Sequence, residues 1–187
     1  MMTGVDLGGS KMEAAVLTDD GEMILRRRVP TPRGDYEGTV SAMASLVASV
    51  ESDAGGGSDV VGIGTPGSES PHTGLMRNCN STVLNGKALR KDLQNALGRE
   101  VILANDANCL AMSEAEDGAA AGHRSCVAII LGTGVGGGVV IDGQIISGAN
   151  GIAGEWGHMP LPWPRADECP GPRCWCGQDG CLEGWLS

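Results

Sequence analysis

Val5-Asp6-Leu7-Gly8-Gly9-Ser10-Lys11 sets a strand against a glycine turn; residues 12–17 then read as a second strand, and Asp20-Gly21 leads into a third, residues 22–29. Asp-Gly between apolar runs is a strong hairpin signal, so residues 3–29 read as a β-meander. The same order returns later: a strand at Val127–Leu131, a glycine turn over Gly132–Gly138, a strand at Val139–Ile141, Asp142-Gly143, and a strand at Gln144–Ile146. A unit used twice implies two related lobes, each opening with a meander. Glycine turns and Asp-Gly hairpins are common enough for coincidence to remain the alternative.

Between the copies, strands alternate with helices. Residues 36–52 read as a helix with Val40, Met43, Leu46, Val47 and Val50 on one face. Residues 54–58 form a Gly-rich connector, and Val60–Ile63 is a buried strand that ends in Gly64-Thr65-Pro66-Gly67. A short helix over 88–97 repeats Leu89, Leu93 and Leu97, with Gly98 placed to terminate it. A strand at 101–104 delivers Asn105 and Asp106 to the start of a helix expected to run from about 107 to 121. The class is α/β, with lobes at 1–122 and 123–187.

The 187 residues suffice for one full domain or two small ones, and an apolar content of 41% is ordinary for a globular chain. Phe is absent and all four Trp follow residue 150, so the earlier core must be aliphatic. A net charge of −10 argues against nucleic acid, which needs basic patches, and Arg26-Arg27-Arg28 reads as a solvated strand end. No apolar stretch is long enough for a membrane span, and Asp6 interrupts anything resembling a signal peptide. Seven Cys, an odd number, point to reduced thiols and a cytoplasmic setting. Cys79, Cys109 and Cys126 read as inert core thiols.

Chemistry concentrates near the end. His158 precedes Cys174, Cys176 and Cys181, and one imidazole with three thiolates completes a closed tetrahedron for structural zinc. Cys169 is an alternative ligand, but it lies outside the C-x-C-x4-C unit. Such a site pins Glu155 and Glu183 into one small volume. The glycine turns are not Walker loops, because Gly8–Lys11 lacks the required spacing. Gly132–Gly136 imitates a dinucleotide fingerprint but leads into a strand, not a helix. Successive backbone N–H groups of such turns can cradle phosphate, with hydroxyls from Ser10 and Thr133, charge from Lys11, and Asp6 holding Mg2+ through water. A plain tight hairpin explains either turn alone about as well. The pairing favours a clamp on a phosphate chain.

Taken together, these residues resemble the ROK family of sugar kinases and related repressors, within the actin-like ATPase superfamily. Gly4–Lys11 and Leu131–Gly138 are similar to its two phosphate loops, and Ala104–Cys109 to its catalytic segment. Gly154–His158 with Cys174–Glu183 is similar to its zinc signature, the most specific of the four. The wording of residues 80–86, 117–122 and 155–163 looks closest to the bacterial fructokinase/mannokinase branch, with the N-acetylglucosamine kinases second.

The resemblance implies an actin-like ATPase (ribonuclease H-like) two-lobe fold. It also implies transfer of the ATP γ-phosphoryl group to a hexose, most simply the 6-hydroxyl of fructose. Asp106 would be the base, kept ionised at a helix N-terminus, although an N-cap alone would read the same way. Gly67, Asn80, Asn105, Asp106, Glu155, His158 and Glu183 would hold the sugar. ATP would lie against Asp6, Gly8, Gly9, Ser10 and Lys11, and against Gly132, Thr133, Gly134, Val135 and Gly136. Ser10 stands where the family more often has Thr, which keeps the hydroxyl. The chain is shorter than usual for the family, so the expected second lobe is incomplete and the adenosine pocket lies outside it. A homodimer is the expected assembly. The rival readings are a sugar-sensing repressor, whose DNA-binding segment would precede Gly4, and a zinc-stabilised module without catalysis.

Overall fold

The computed structural model describes residues 1–132 and 134–187; Thr133, expected in the second glycine turn, lies outside the described residues. Strands β1 (Met2–Leu7), β2 (Lys11–Leu17) and β3 (Met23–Pro30) form the antiparallel meander. Period-two alternation decides its faces: β2 buries Met12, Ala14 and Val16 and leaves the residues between them half-buried or exposed. Helix α1 (Tyr36–Ala54) starts at Asp35, whose carboxylate accepts the Gly38 N–H, and stops at Gly55 in the left-handed region. Strand β4 (Val60–Thr65) returns to the sheet. A small hairpin, β5 (Ser68–Glu69) with β6 (Met76–Arg77), escaped the sequence reading, because two-residue strands carry no periodicity. Helix α2 (Leu89–Leu97) ends at Gly98 in the left-handed region and precedes β7 (Glu100–Asn105).

The five-stranded sheet has the order β3-β2-β1-β4-β7, with β1, β4 and β7 parallel. Its core is aliphatic, with Met43, Val47 and Val50 of α1 clustered with Met12, Val16, Val61 and Ile63 of the strands; Tyr36 is its one aromatic. Parallel strands end on the same edge, so the sheet carries the first glycine turn, the Gly67 loop and Asn105-Asp106 together at the C-terminal ends of β1, β4 and β7.

The chain divides into two units, Met1–Asp106 and Ala107–Ser187. Helix α3 (Asp106–Glu116) spans the division. Its Ala111 packs with Ala128 and Val140 of a second sheet, so the helix body belongs with the second unit. That sheet comprises β8 (Ser125–Leu131), β9 (Val135–Ile141) and β10 (Gln144–Ile145), antiparallel in the order β10-β9-β8. Asp142 and Gly143, both at positive φ, make the tight turn between β9 and β10. Val127, Ile129 and Leu131 on one face of β8 are each more than half exposed.

Two element boundaries depart markedly from expectation. Helix α3 ends at Glu116 rather than near residue 121, where the Glu114 carboxylate accepts the Ala119 N–H and draws the chain out of helix. Strand β9 begins at Val135 rather than Val139, so Gly136, Gly137 and Gly138 belong to the strand and not to the turn. Their lack of side chains serves packing. A Cβ on Gly138 would lie 2.6 Å from the Ala111 Cβ, and one on Gly137 would lie 2.9 Å from Trp156 Nε1. Alternate glycines thus admit α3 on one face and Trp156 on the other. Beyond β10, two 3-10 turns (156–158 and 166–168), two isolated bridges and the short helix α4 (Glu183–Leu186) complete the unit. Among the described residues, no helix is long and apolar enough to cross a membrane.

Candidate active site and metal centre

In the first unit, the glycine turn is closed by the Gly8 N–H donating to the Lys11 carbonyl at 3.0 Å. A Cβ on Gly8 would lie 2.8 Å from that same oxygen, so glycine is required there. Thr31 braces the turn from β3's end: its hydroxyl donates to the Gly8 carbonyl at 2.8 Å, and its N–H to Ser10 O at 3.1 Å. Gly9 lies so close to Ser81 that a Cβ would fall 2.8 Å from the Ser81 hydroxyl. The turn therefore sits beside the loop of Asn80. Ser10 and Lys11 are exposed. Asp6 is exposed too and faces Glu13 across the β1–β2 pair; partial desolvation and then the Glu13 charge raise its pKa.

The Gly67, Asn80 and Asn105 loops are knitted into one assembly. Gly67 has φ +74°, and a Cβ there would overlap the backbone of Arg77, Asn78 and Cys79. Asn105 Nδ2 donates to the Gly67 carbonyl at 3.1 Å. Asn85 grips Cys79 twice, accepting its N–H at 2.9 Å and donating to its carbonyl at 3.1 Å, which fixes the residue preceding Asn80. Cys79 Sγ donates to Pro66 O at 3.0 Å; burial, followed by the Asp106 charge, pushes this thiol up to about 11, so it is inert as expected. Cys109 departs from that expectation and is exposed, on the solvent face of α3. Asn80 and Asp106 are both exposed, Asp106 in the first turn of α3. Gly67, Asn80, Asn105 and Asp106 thus share one corner of the first unit.

In the second unit, ligand atoms of His158, Cys174, Cys176 and Cys181 all lie within 4.8 Å of one another. Cys176 Sγ is 3.6 Å from Cys181 Sγ, and Cys174 Sγ is 3.5 Å from His158 Nδ1. A tetrahedral zinc with Zn–S of about 2.3 Å and Zn–N of about 2.0 Å would hold such pairs about 3.8 and 3.5 Å apart. The donor set and spacing fit zinc. Cys169 is not among these ligands and is exposed. Trp175 stands edge-on to the His158 ring at 5.0 Å.

Glu183 is only 8% exposed. Its carboxylate accepts the Trp175 indole N–H and, at 2.9 Å, the Val135 N–H at the start of β9. Glu155 is half-buried and precedes the 3-10 turn that carries His158. Gly154 and Gly157 flank this segment for a physical reason: a Cβ on either would overlap a β9 carbonyl, Gly137 O or Val135 O. Between them, Trp156 Nε1 donates to Gly136 O at 2.7 Å. Gly132 N–H donates to Gly134 O at 3.0 Å within the second glycine turn. Sequence reading passed over Thr31, Ser81, Asn85, Trp156 and Trp175. Only the tryptophans offered a signal, each interleaved among the residues of the metal signature.

Residues 2–187 match the ROK family. The chain belongs to the ROK family. Among other ROK proteins, it is 40% identical over 191 residues to an N-acetyl-D-glucosamine kinase of Photobacterium profundum, covering 100% of this chain and 63% of that relative. It is 42% identical over 193 residues to an N-acetyl-D-glucosamine kinase of Citrobacter koseri, with the same coverage. This ROK chain therefore spans about 63% of the length of these relatives. The crystal structure of a ROK hexokinase from Thermus thermophilus superposes with a TM-score of 0.81 at 38% identity, covering 97% of this chain and 58% of that one. A ROK family glucokinase from Streptomyces griseus, in complex with glucose and AMPPNP, gives 0.80 at 32% identity, covering 97% and 55%. The α/β, actin-like ATPase fold expected for a ROK member is the fold of this chain.

Proposed function

We propose that the protein is an ATP-dependent sugar kinase that phosphorylates the 6-hydroxyl of N-acetylglucosamine. The observation that carries this reading is the corner holding Gly67, Asn80, Asn105 and Asp106, where a hydrogen-bonded loop assembly presents an exposed carboxylate at a helix start. The choice of sugar is supported by relatives about 40% identical that bear the name N-acetyl-D-glucosamine kinase, and it replaces the fructose expected from sequence. Glucose, the sugar in the Streptomyces griseus complex, is the second reading.

In this reading Asp106 takes the proton of the sugar hydroxyl as its oxygen forms a bond to the γ-phosphorus. The bond from that phosphorus to the bridging oxygen breaks, and ADP leaves with both electrons. The transition state of phosphoryl transfer is loose, so positioning and charge stabilisation do most of the work. Asn80, Asn105, Glu155, His158 and Glu183 orient sugar hydroxyls. The turns at Gly8–Lys11 and Gly132–Gly136 offer backbone N–H groups to phosphate oxygens. Mg2+ would neutralise charge on the phosphates. The exposed Asp6 carboxylate suits a cation that keeps most of its water. Zinc at His158, Cys174, Cys176 and Cys181 would brace the Glu155–His158 segment without taking part in the reaction.

An ADP-release assay over N-acetylglucosamine, glucose, mannose and fructose tests the reading. The highest kcat/KM is expected on N-acetylglucosamine. Absence of turnover with every sugar would sink the kinase reading, and fastest turnover of fructose would reinstate the sequence expectation.

A further inference from the structure

Two side chains that flank the metal signature reach back to the start of β9. Glu183 accepts the Val135 N–H at 2.9 Å, and Trp156 donates its indole N–H to the Gly136 carbonyl at 2.7 Å. Both groups belong to the backbone that leaves the second glycine turn. Backbone packing reinforces them, because Gly154 and Gly157 let the segment of Glu155 and His158 lie directly on Val135–Gly137. Glu183 is itself fixed by Trp175, which stands against His158. A continuous set of contacts thus joins Glu155 and His158 to Val135–Gly137 at the start of β9, all within one unit.

We propose that Trp156 is a positioning residue for the nucleotide: its indole N–H, with the Glu183 carboxylate, fixes Val135 and Gly136, two of the backbone positions that would meet ATP phosphates. The inference rests on the sugar-kinase reading, in which the second glycine turn faces ATP. Trp156→Phe keeps an aromatic ring at this position but deletes the N–H donated to Gly136 O, together with the indole edge that meets Gly137. One such bond is worth about 1 kcal/mol net, or roughly a fivefold change in affinity.

The experiment measures ADP and sugar affinity of the full chain by titration calorimetry, and hydrogen exchange by mass spectrometry, for wild type, Trp156→Phe and Trp156→Leu. Trp156→Phe should weaken ADP about fivefold and leave sugar affinity within about twofold. Exchange should quicken at Val135–Gly138 but not at Cys174–Cys181. Trp156→Leu, which also loses the ring, should weaken both ligands. Wild-type ADP affinity in Trp156→Phe, equal weakening of ADP and sugar in it, or unchanged exchange at Val135–Gly138 each overturns the inference while the kinase reading stands. A wild-type protein that binds neither ligand overturns the kinase reading, and the inference with it.

Discussion

Asp106 is where the chemistry would be decided, and the structure gives it two properties suited to a base: exposure and a place in the first turn of α3. A helix N-terminus favours the charged carboxylate, which must be free of its proton before it can accept one. Asp106→Asn keeps the shape and the hydrogen-bonding reach but removes the base. Turnover should fall by a factor on the order of 10² to 10⁴ while sugar affinity by calorimetry changes little. A variant with near wild-type kcat would strip Asp106 of this role. Its neighbour Asn105 already spends an amide hydrogen on Gly67, so part of its work is to shape the loop beside Asp106. Glu183 combines tasks in a similar way, since a buried carboxylate that holds Val135 and Trp175 is more than a surface charge beside a metal.

Among the elements, one ion pair ties α1 to the opposite end of the parallel strands of the first sheet. Glu51 of α1 accepts from Arg99 at 2.7 Å and from Thr3 of β1 at 2.6 Å. Burial alone would raise the Glu51 pKa, but the Arg99 and Thr3 hydrogen bonds outweigh it and hold the carboxyl below its usual range. The unfolded chain binds this proton at a higher pH than the folded one. The pair therefore contributes its full stability above the unfolded pKa and loses it as pH falls through the lower folded value. Glu51→Gln should melt below wild type at neutral pH, and thermal melts on acidification should show the gap closing. A gap independent of pH would refute this account. Apart from the β5–β6 hairpin, the strands and helices of this unit were legible from periodicity, the Asp20-Gly21 turn and Gly98. The start of β9 was not, because a glycine run carries no alternation; its pairing with β8 makes it strand, and Ala111 and Trp156 approach its two faces. Likewise the grouping of His158, Cys174, Cys176 and Cys181 could be read from spacing. Asn85, which grips Cys79 from six residues away, could not, because an Asn in a loop looks the same whether or not it is bonded.

At the scale of the whole molecule, two units divide the labour of stability differently. The first, Met1–Asp106, has a continuous aliphatic core. The second buries few large side chains, packs glycine against backbone, and gathers His158, Cys174, Cys176 and Cys181 towards its C-terminal end. A small core gains from a staple, and the zinc proposed at this cluster would contribute folding energy directly. Metal analysis should find about one zinc per chain, lost in Cys176→Ser. A chelator should lower the melting of the second unit and spare the first. Retention of an unchanged melt after metal removal would rule out a structural metal. The positions of the aromatic residues make that distinction measurable without any label. Trp156, Trp163, Trp175 and Trp185 all lie in the second unit, while the only tyrosine, Tyr36, is buried in the first with its hydroxyl on Asp92. Indole emission, excited at the red edge where phenol does not absorb, therefore reports on the second unit alone, so the native sequence carries its own optical probe of that unit.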